Sequence, residues 1–248
     1  MNKTKLSNRK MVIAAMLGAI TVVLGMTPLG FIPLGILNAT TLHIPVIVGA
    51  IAEGPIVGAL VGLIFGMSSF VRAFTNPTPI SPILYNPLIS VLPRILIGIT
   101  TYYTYKILKG KDKDFLKKFS YVSWILIILF LIFMIFRNIN KSLSALNLVL
   151  MIVLLLMSIG MLIYTRKGIN ENASVVSAAF VGSMTNSILV MGGIYLLYAN
   201  KYAIALNLNP ATVGSAVLGV IVAQSLPEAI ISCIITSTVI GSLKMRKM

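Results

Sequence analysis

The chain has 248 residues, of which 58% are apolar and only 10% are charged, and its net charge at pH 7 is +15. A soluble domain carries about 25% charged residues, so this composition excludes a water-soluble globular fold and indicates an integral membrane protein. The excess of Lys and Arg is interpreted as a signal of membrane orientation rather than of nucleic-acid binding, because basic residues are retained on the cytoplasmic side.

Recurrent apolar stretches predict an all-α protein that crosses the membrane about eight times. Roughly 20 apolar residues are needed to cross about 30 Å of hydrocarbon. The first stretch follows four basic residues, as in a signal peptide, but no clear small-x-small cleavage site ends it and further spans follow, so it is predicted to be a retained helix. The predicted spans are residues 10–25, 40–53, 55–71, 84–108, 119–136, 145–165, 172–199 and 211–243.

The distribution of basic residues predicts the orientation of these spans. With the N-terminus inside, fifteen of the 20 Lys and Arg residues fall in inside segments and four fall outside, while Arg94 lies within a span. This bias predicts that both termini are cytoplasmic.

Small residues four positions apart lie on the first span, where Ala14 is followed by Gly18 and Ala15 by Ala19. Such residues allow two helix backbones to approach closely in lipid. Two interpretations stay open, namely packing within the bundle and docking of a partner subunit on this stripe. A similar series occupies span three: Gly54, Gly58, Gly62 and Gly66.

The fifth and sixth spans differ from the others because they are apolar on every face, with almost no glycine and no buried charge. Helices of this kind are typical of lipid-exposed positions. We therefore expect residues 111–168 to form an inserted transmembrane hairpin. It would join core helices one to four, in residues 1–110, to core helices five and six, in residues 169–248.

Charges within the membrane are candidates for function, because burying them in lipid is costly. Arg94 lies near the middle of span four beside Pro93, and Glu228 follows Pro227 in the last span. Arg94 is expected either to pair with Glu228 or to bind the carboxylate of an anionic ligand through its planar fork. Glu53 and Arg72 lie at predicted helix ends, which favours interfacial anchoring.

Three further polar residues complete the candidate site. His43 is the only histidine, and without neighbouring ligands it predicts no metal site. Asn186 lies inside span seven and Asn86 opens span four, and an amide both donates and accepts hydrogen bonds. Two outer loops, 26–38 and 72–82, are stiffened by proline and are predicted to cover a pocket that opens to the outside.

The usual catalytic and nucleotide-binding motifs are missing. The sequence contains no Walker lysine motif, HExxH, GxSxG or GxGxxG, and it has only five carboxylates. We therefore predict no enzyme activity and no cofactor. ATP-driven transport would require ATPase subunits on other chains.

Taken in order, several segments resemble the substrate-binding S components of energy-coupling factor (ECF) vitamin transporters. These are Ala15xxxAla19, LHIPVIVGAIAEGPIVGA at 42–59, GLIFGMSS at 62–69, NPLISVLPRILIG at 86–98, GSMTNSILVMGGIYL at 182–196 and Pro227-Glu228. The likeness covers about 1–110 and 170–248, and the motif TTLHIP at 40–45 is most similar to the pantothenate-type members.

The resemblance implies a six-helix core with both termini inside and a vitamin site near the outer face, roofed by the first and third loops. It also implies a bacterial cytoplasmic-membrane location and a partner module of one transmembrane coupling subunit and two ATPases. The docking surface for that module would be the first-helix stripe, here Ala15, Ala19 and Gly18.

The sequence thus predicts capture of a vitamin, with pantothenate the leading candidate and folate an alternative. The expected binding residues are Arg94, Asn186, Asn86, His43, Glu228 and Arg72. One alternative is a stand-alone secondary transporter, which would be expected to have two halves of related sequence. The two halves of this chain show only a weak similarity. Another rival is a membrane enzyme, which would require a clustered nucleophile or metal set.

Overall fold

The computed structural model of the protein describes residues 7–34, 37–111, 145–166 and 172–245, together with scattered positions between 115 and 136. The chain is predominantly helical in these parts, as predicted. In chain order the elements are α1 (Asn8–Met26), β1 (Phe31–Leu34), β2 (Leu37–Thr40), α2 (Ile44–Glu53), α3 (Pro55–Thr75), α4 (Ser81–Leu84), α5 (Pro87–Ser90), α6 (Leu92–Lys109), α7 (Ala145–Arg166), α8 (Asn172–Ala205) and α9 (Val213–Met245).

Four helices within the described ranges are long and apolar enough to cross a membrane. They are α1, α3 and the segments Ala173–Ala205 of α8 and Val213–Leu243 of α9. Helix α2 has only 10 residues, and at 1.5 Å per residue it is about 15 Å long, so it reaches only about halfway across a bilayer. The count of eight spans and the six-helix core remain predictions.

Two segments differ from their predicted form. Span four is predicted as one stretch over 84–108, but α4 ends at Leu84 and two helices follow, α5 with Pro87 as its first residue and α6 with Pro93 as its second. The loop at 26–38, for which no strand was predicted, contains most of an antiparallel β-hairpin in which Phe31 pairs with Thr40 and Leu34 with Leu37.

A close contact between α3 and α6 depends on glycine. A Cβ atom on Gly62 would lie 2.2 Å from the Arg94 carbonyl oxygen, and one on Gly66 would lie 2.7 Å from the Val91 Cα. Gly98 faces Gly58 in the same way. These helices therefore touch backbone to backbone, which fixes where α6 begins and where the Arg94 side chain starts.

Two apolar clusters hold the described helices together. The larger one surrounds α2, whose Val46, Ile47 and Ala50 have no exposed surface. The smaller one lies where α4 and α5 pack against α8 and α9, and it includes Ile83, Ile89, Ile194, Tyr202 and Val213. The connection between α3 and α6 is therefore anchored by an apolar core of its own.

Parts of the predicted inserted hairpin, 111–168, pack against the larger cluster. Trp124 and Leu131 are 2% and 5% exposed. Other faces of the same segment are open, since Leu129, Phe133 and Leu156 are more than half exposed. Its role as a separate insertion remains a prediction.

Candidate functional site

A cavity of about 660 Å³ lies beneath the β-hairpin and the α3–α6 connection. Its size falls within the range of small-molecule sites, about 300–1,000 Å³. Its lining comes from both hairpin strands and from α3, α4, α6, α8 and α9, together with residues of the connecting segments. The lining residues are Phe31, Thr40, Leu42, Phe65, Ser69, Arg72, Ala73, Asn76, Thr78, Ile80, Ser81, Leu84, Arg94, Asn186, Ser187, Val190, Met191, Val220, Gln224, Ser225 and Glu228.

Arg94 projects into this cavity from the first turn of α6. Pro93 removes the backbone donor that would have bonded to the carbonyl of Ile89, and the Arg94 Nη1 donates to that oxygen at 2.6 Å. The guanidinium carbon lies 5.5 Å from the centroid of the Phe65 ring. The Nε atom is buried and has no hydrogen-bond acceptor among the described residues. The break in span four therefore orients a cation whose hydrogen-bonding capacity is only partly used.

Glu228 shares the cavity with Arg94, but the two side chains do not form an ion pair. The ion pair found within the described ranges joins Arg9 to Glu53 at 3.0 Å, and Glu53 is the last residue of α2. The Glu228 Oε1 instead accepts hydrogen bonds from the backbone N–H of Thr40 at 2.8 Å and from its hydroxyl at 3.1 Å. The alternative in which Arg94 forms a direct ion pair with Glu228 is therefore not observed, and the Glu228 Oε1 accepts from Thr40 of the hairpin instead.

Asn186 and Arg72 also line the cavity. The Asn186 side chain is 9% exposed, and its Oδ1 has no donor within the described part of the chain. Arg72, near the end of α3, lies over the Phe31 ring with its guanidinium carbon 4.2 Å from the centroid, and it donates to the Gly25 carbonyl. Asn186 thus offers an unused acceptor, whereas Arg72 is engaged with the hairpin and α1.

Two predicted site residues lie outside the lining. Asn86 caps α5 by accepting from the Leu88 N–H at 2.9 Å, and its Nδ2 donates to the Tyr198 hydroxyl at 3.0 Å. His43 precedes α2 and is fully buried, and neither ring nitrogen has a hydrogen-bond partner among the described residues. The fold therefore brings four of the six predicted residues to one cavity.

Sequence reasoning missed two polar residues beside Glu228. Gln224 lies one turn earlier on α9 and donates to the Glu228 Oε1 at 3.2 Å. Its four-residue spacing from Glu228 was a usable signal. Thr40 gave no such signal, because its contact with Glu228 spans 188 residues of chain.

The small residues of α1 divide between two faces. Ala15 and Ala19 are exposed. Gly18 is buried, and a Cβ at this position would lie 2.4 Å from the Ile64 Cδ1 on α3. Gly18 therefore packs within the bundle, and only Ala15 and Ala19 of the three predicted docking residues lie on an open face.

Two comparisons with known proteins identify the family of this chain. The chain is 29% identical over 219 residues to the pantothenic acid transporter PanT of Lactococcus lactis subsp. cremoris, and the alignment covers 82% of this chain and 76% of the relative. The family model for the substrate-specific component of ECF transporters matches residues 9–157, which is more than half of the chain. The chain therefore belongs to the ECF transporter substrate-specific component family.

Proposed function

We propose that this protein is the substrate-binding subunit of an ATP-driven ECF importer and that it captures pantothenate at the outer face of the bacterial cytoplasmic membrane. The observation that carries the proposal is Arg94, whose guanidinium faces a cavity of about 660 Å³ and has a buried, unpartnered Nε among the described residues. A buried cation requires a counter-charge or hydrogen-bond acceptors, and a ligand carboxylate provides both.

The other polar groups favour the same ligand. Pantothenate combines one carboxylate with an amide and two hydroxyls. The Asn186 Oδ1 would accept a hydrogen bond from the amide or a hydroxyl, while the apolar wall formed by Phe65, Val190 and Met191 would contact the branched carbon skeleton. The charged residues of the described lining are Arg72, Arg94 and Glu228, which favours an anion over a cation. The likeness to PanT supports the same substrate.

Energy coupling would come from other chains. In this proposal the exposed Ala15 and Ala19 face of α1 docks on a transmembrane coupling subunit, which in turn binds two ATPase subunits. Exposed apolar side chains, including Val12, Met16 and Val23, extend this face along α1, so it is suited to a partner helix in the membrane.

Calorimetric titration of the purified chain with pantothenate tests the substrate. Panthenol, in which an alcohol replaces the carboxylate, is the matched control ligand. We expect Arg94→Ala to weaken pantothenate binding by about 2–5 kcal/mol, as the loss of one partner of a buried charge pair does. Panthenol binding should change much less. Arg94→Lys should recover only part of the affinity, because lysine keeps the positive charge but lacks the planar guanidinium that donates two parallel hydrogen bonds to a carboxylate.

The proposal would be wrong if Arg94→Ala weakened both ligands equally, because the arginine would then not contact the carboxylate. Folate is the alternative vitamin. Tighter binding of folate than of pantothenate would assign the site to that vitamin, which carries two carboxylates.

A further inference from the structure

The base of the β-hairpin is tied to α9 by Glu228. Its Oε1 accepts from the Thr40 N–H at 2.8 Å, from the Thr40 hydroxyl at 3.1 Å and from the Gln224 Nε2 at 3.2 Å. The Glu228 side chain is 4% exposed. Three donors therefore converge on one carboxylate oxygen, and two of them belong to the hairpin.

The opposite strand of the hairpin base is held from the other side of the cavity. Phe31 faces Thr40 in the strand register, and both residues line the cavity. The Arg72 guanidinium lies 4.2 Å from the centroid of the Phe31 ring. At the hairpin base, Arg72 of α3 therefore contacts the first strand, and Glu228 of α9 binds the second.

The second part of the roof is held in a different way. The α4–α5 connection buries Ile83 and Ile89, each 1% exposed, in the smaller apolar cluster with Ile194 and Val213. Freeing that connection would expose the apolar side chains of Ile83 and Ile89. Freeing the Thr40 strand from α9 breaks its two hydrogen bonds to Glu228, while Phe31 on the other strand stays against Arg72 and the larger apolar cluster. Of the two roof segments, the hairpin is therefore the one whose side-chain hydrogen bonds to α9 depend on a single residue, Glu228.

We propose that Glu228 is a positioning residue that fastens the hairpin over the cavity and so sets how long the ligand stays bound. This inference rests on the proposed function, in which the cavity takes pantothenate. Hydrogen bonds to a charged acceptor are roughly twice as strong as those between neutral groups, so weakening this acceptor loosens the hairpin. In this role Glu228 acts on the ligand through Thr40 and the hairpin.

Dissociation of radiolabelled pantothenate from the full-length chain in lipid nanodiscs tests the inference. We expect Glu228→Gln to raise the dissociation rate about tenfold, the effect of losing a charge-assisted bond, without slowing association. Thr40→Val removes the hydroxyl, keeps the backbone N–H and should raise the rate severalfold. In the Thr40→Val/Glu228→Gln double variant, the increase in dissociation rate should be smaller than the product of the two single increases, because both substitutions weaken the same interaction.

Thr78→Val is the matched control. Thr78 is another threonine of the cavity lining, but its hydroxyl contacts Ser81 at 3.1 Å and not Glu228. In the Thr78→Val/Glu228→Gln double variant, the increase in dissociation rate should equal the product of the two single increases. If the Thr40→Val/Glu228→Gln variant also showed the full product of its two single rate increases, the inference would be overturned and Glu228 would be a direct ligand contact. If Glu228→Gln fails to fold, the dissociation rate of Thr40→Val decides alone, and an unchanged rate overturns the inference.

Hydrogen exchange of the Thr40 amide in ligand-free protein separates this inference from the proposed substrate. Glu228→Gln should speed exchange of this amide because its acceptor is weakened, whereas Thr78→Val should leave it unchanged. If the purified chain did not bind pantothenate but Glu228→Gln still sped exchange of the Thr40 amide, the proposed substrate would be wrong and the role of Glu228 in holding the hairpin would stand. Unchanged exchange in Glu228→Gln would overturn that role whatever the ligand.

Discussion

Asn86 and Arg94 lie eight residues apart on the same broken stretch of chain, yet their side chains serve different purposes. Asn86 caps α5 and holds Tyr198, the residue at which α8 departs from helical geometry with φ −140° and ψ 25°. Arg94 uses one nitrogen to satisfy the Ile89 carbonyl, and another has no partner among the described residues of the cavity wall. The first residue therefore stabilises the roof, and the second is placed to bind an anion.

This difference predicts that Asn86→Ala lowers stability and spares binding. Losing a helix cap costs about 1 kcal/mol of unfolding free energy, and the bond to the Tyr198 hydroxyl is lost as well. Thermal unfolding in detergent should occur at a lower temperature, while the pantothenate Kd stays unchanged. Tyr198→Phe is the control, because it removes the second bond and keeps the cap. A large loss of affinity in Asn86→Ala would instead place the amide in contact with the ligand.

At the scale of elements, the α3–α6 contact determines where the Arg94 side chain begins. Gly62 meets the Arg94 backbone so closely that no side chain fits between them. Gly66 and Gly98 extend the same contact to either side. Helix packing through small residues is common in membranes, and here it also fixes the position of the Arg94 backbone against α3.

Gly62→Ala should therefore move α6 and weaken ligand binding. The added Cβ would lie 2.2 Å from the Arg94 carbonyl oxygen, and overpacking of this kind costs about 1–3 kcal/mol of stability. Calorimetry should report a higher pantothenate Kd for the folded fraction. The control is Gly192→Ala on α8, where a Cβ would meet no atom within 4 Å. Equal Kd values for the two variants would mean that the α3–α6 contact does not position Arg94.

For the molecule as a whole, ligand binding and energy coupling are expected to use separate parts of the chain, because α1 contributes no residue to the cavity lining and its open face is the proposed docking surface. Gly18 and Ala14 are buried within the bundle, whereas Ala15 and Ala19 are open. A substitution on the open face should therefore leave the cavity unchanged. A substitution at Gly18 would collide with Ile64 inside the same chain.

The Ala15→Leu/Ala19→Leu protein should bind pantothenate normally and fail to assemble with its coupling subunits. Leucine keeps the helix apolar but prevents close approach of a partner helix. Binding to the isolated chain and uptake by the full assembly measure the two effects separately. Met16→Leu alters an exposed neighbour without adding bulk, so it should leave both activities intact. Normal uptake by the double variant would exclude this face from coupling.

The amino-acid sequence by itself determined the environment and the class of this protein. Its apolar stretches and scarce charges require burial in lipid, whatever the tertiary arrangement. The cost of placing a charge in the membrane was enough to single out Arg94 and Glu228, and both line the cavity. Pro93 removes a backbone donor wherever it occurs, but the division of span four into separate helices appeared only in the structure.

Only the tertiary structure decided which polar residues share a cavity and what each one contacts. His43 and Asn86 satisfied the same sequence criteria as Asn186, but helix packing places Asn186 alone among these three at the cavity wall. The pairing of Glu228 with Thr40 joins the last helix to the first hairpin. Such contacts depend on how distant elements pack, and periodicity along the chain carries information only about neighbours within a few turns.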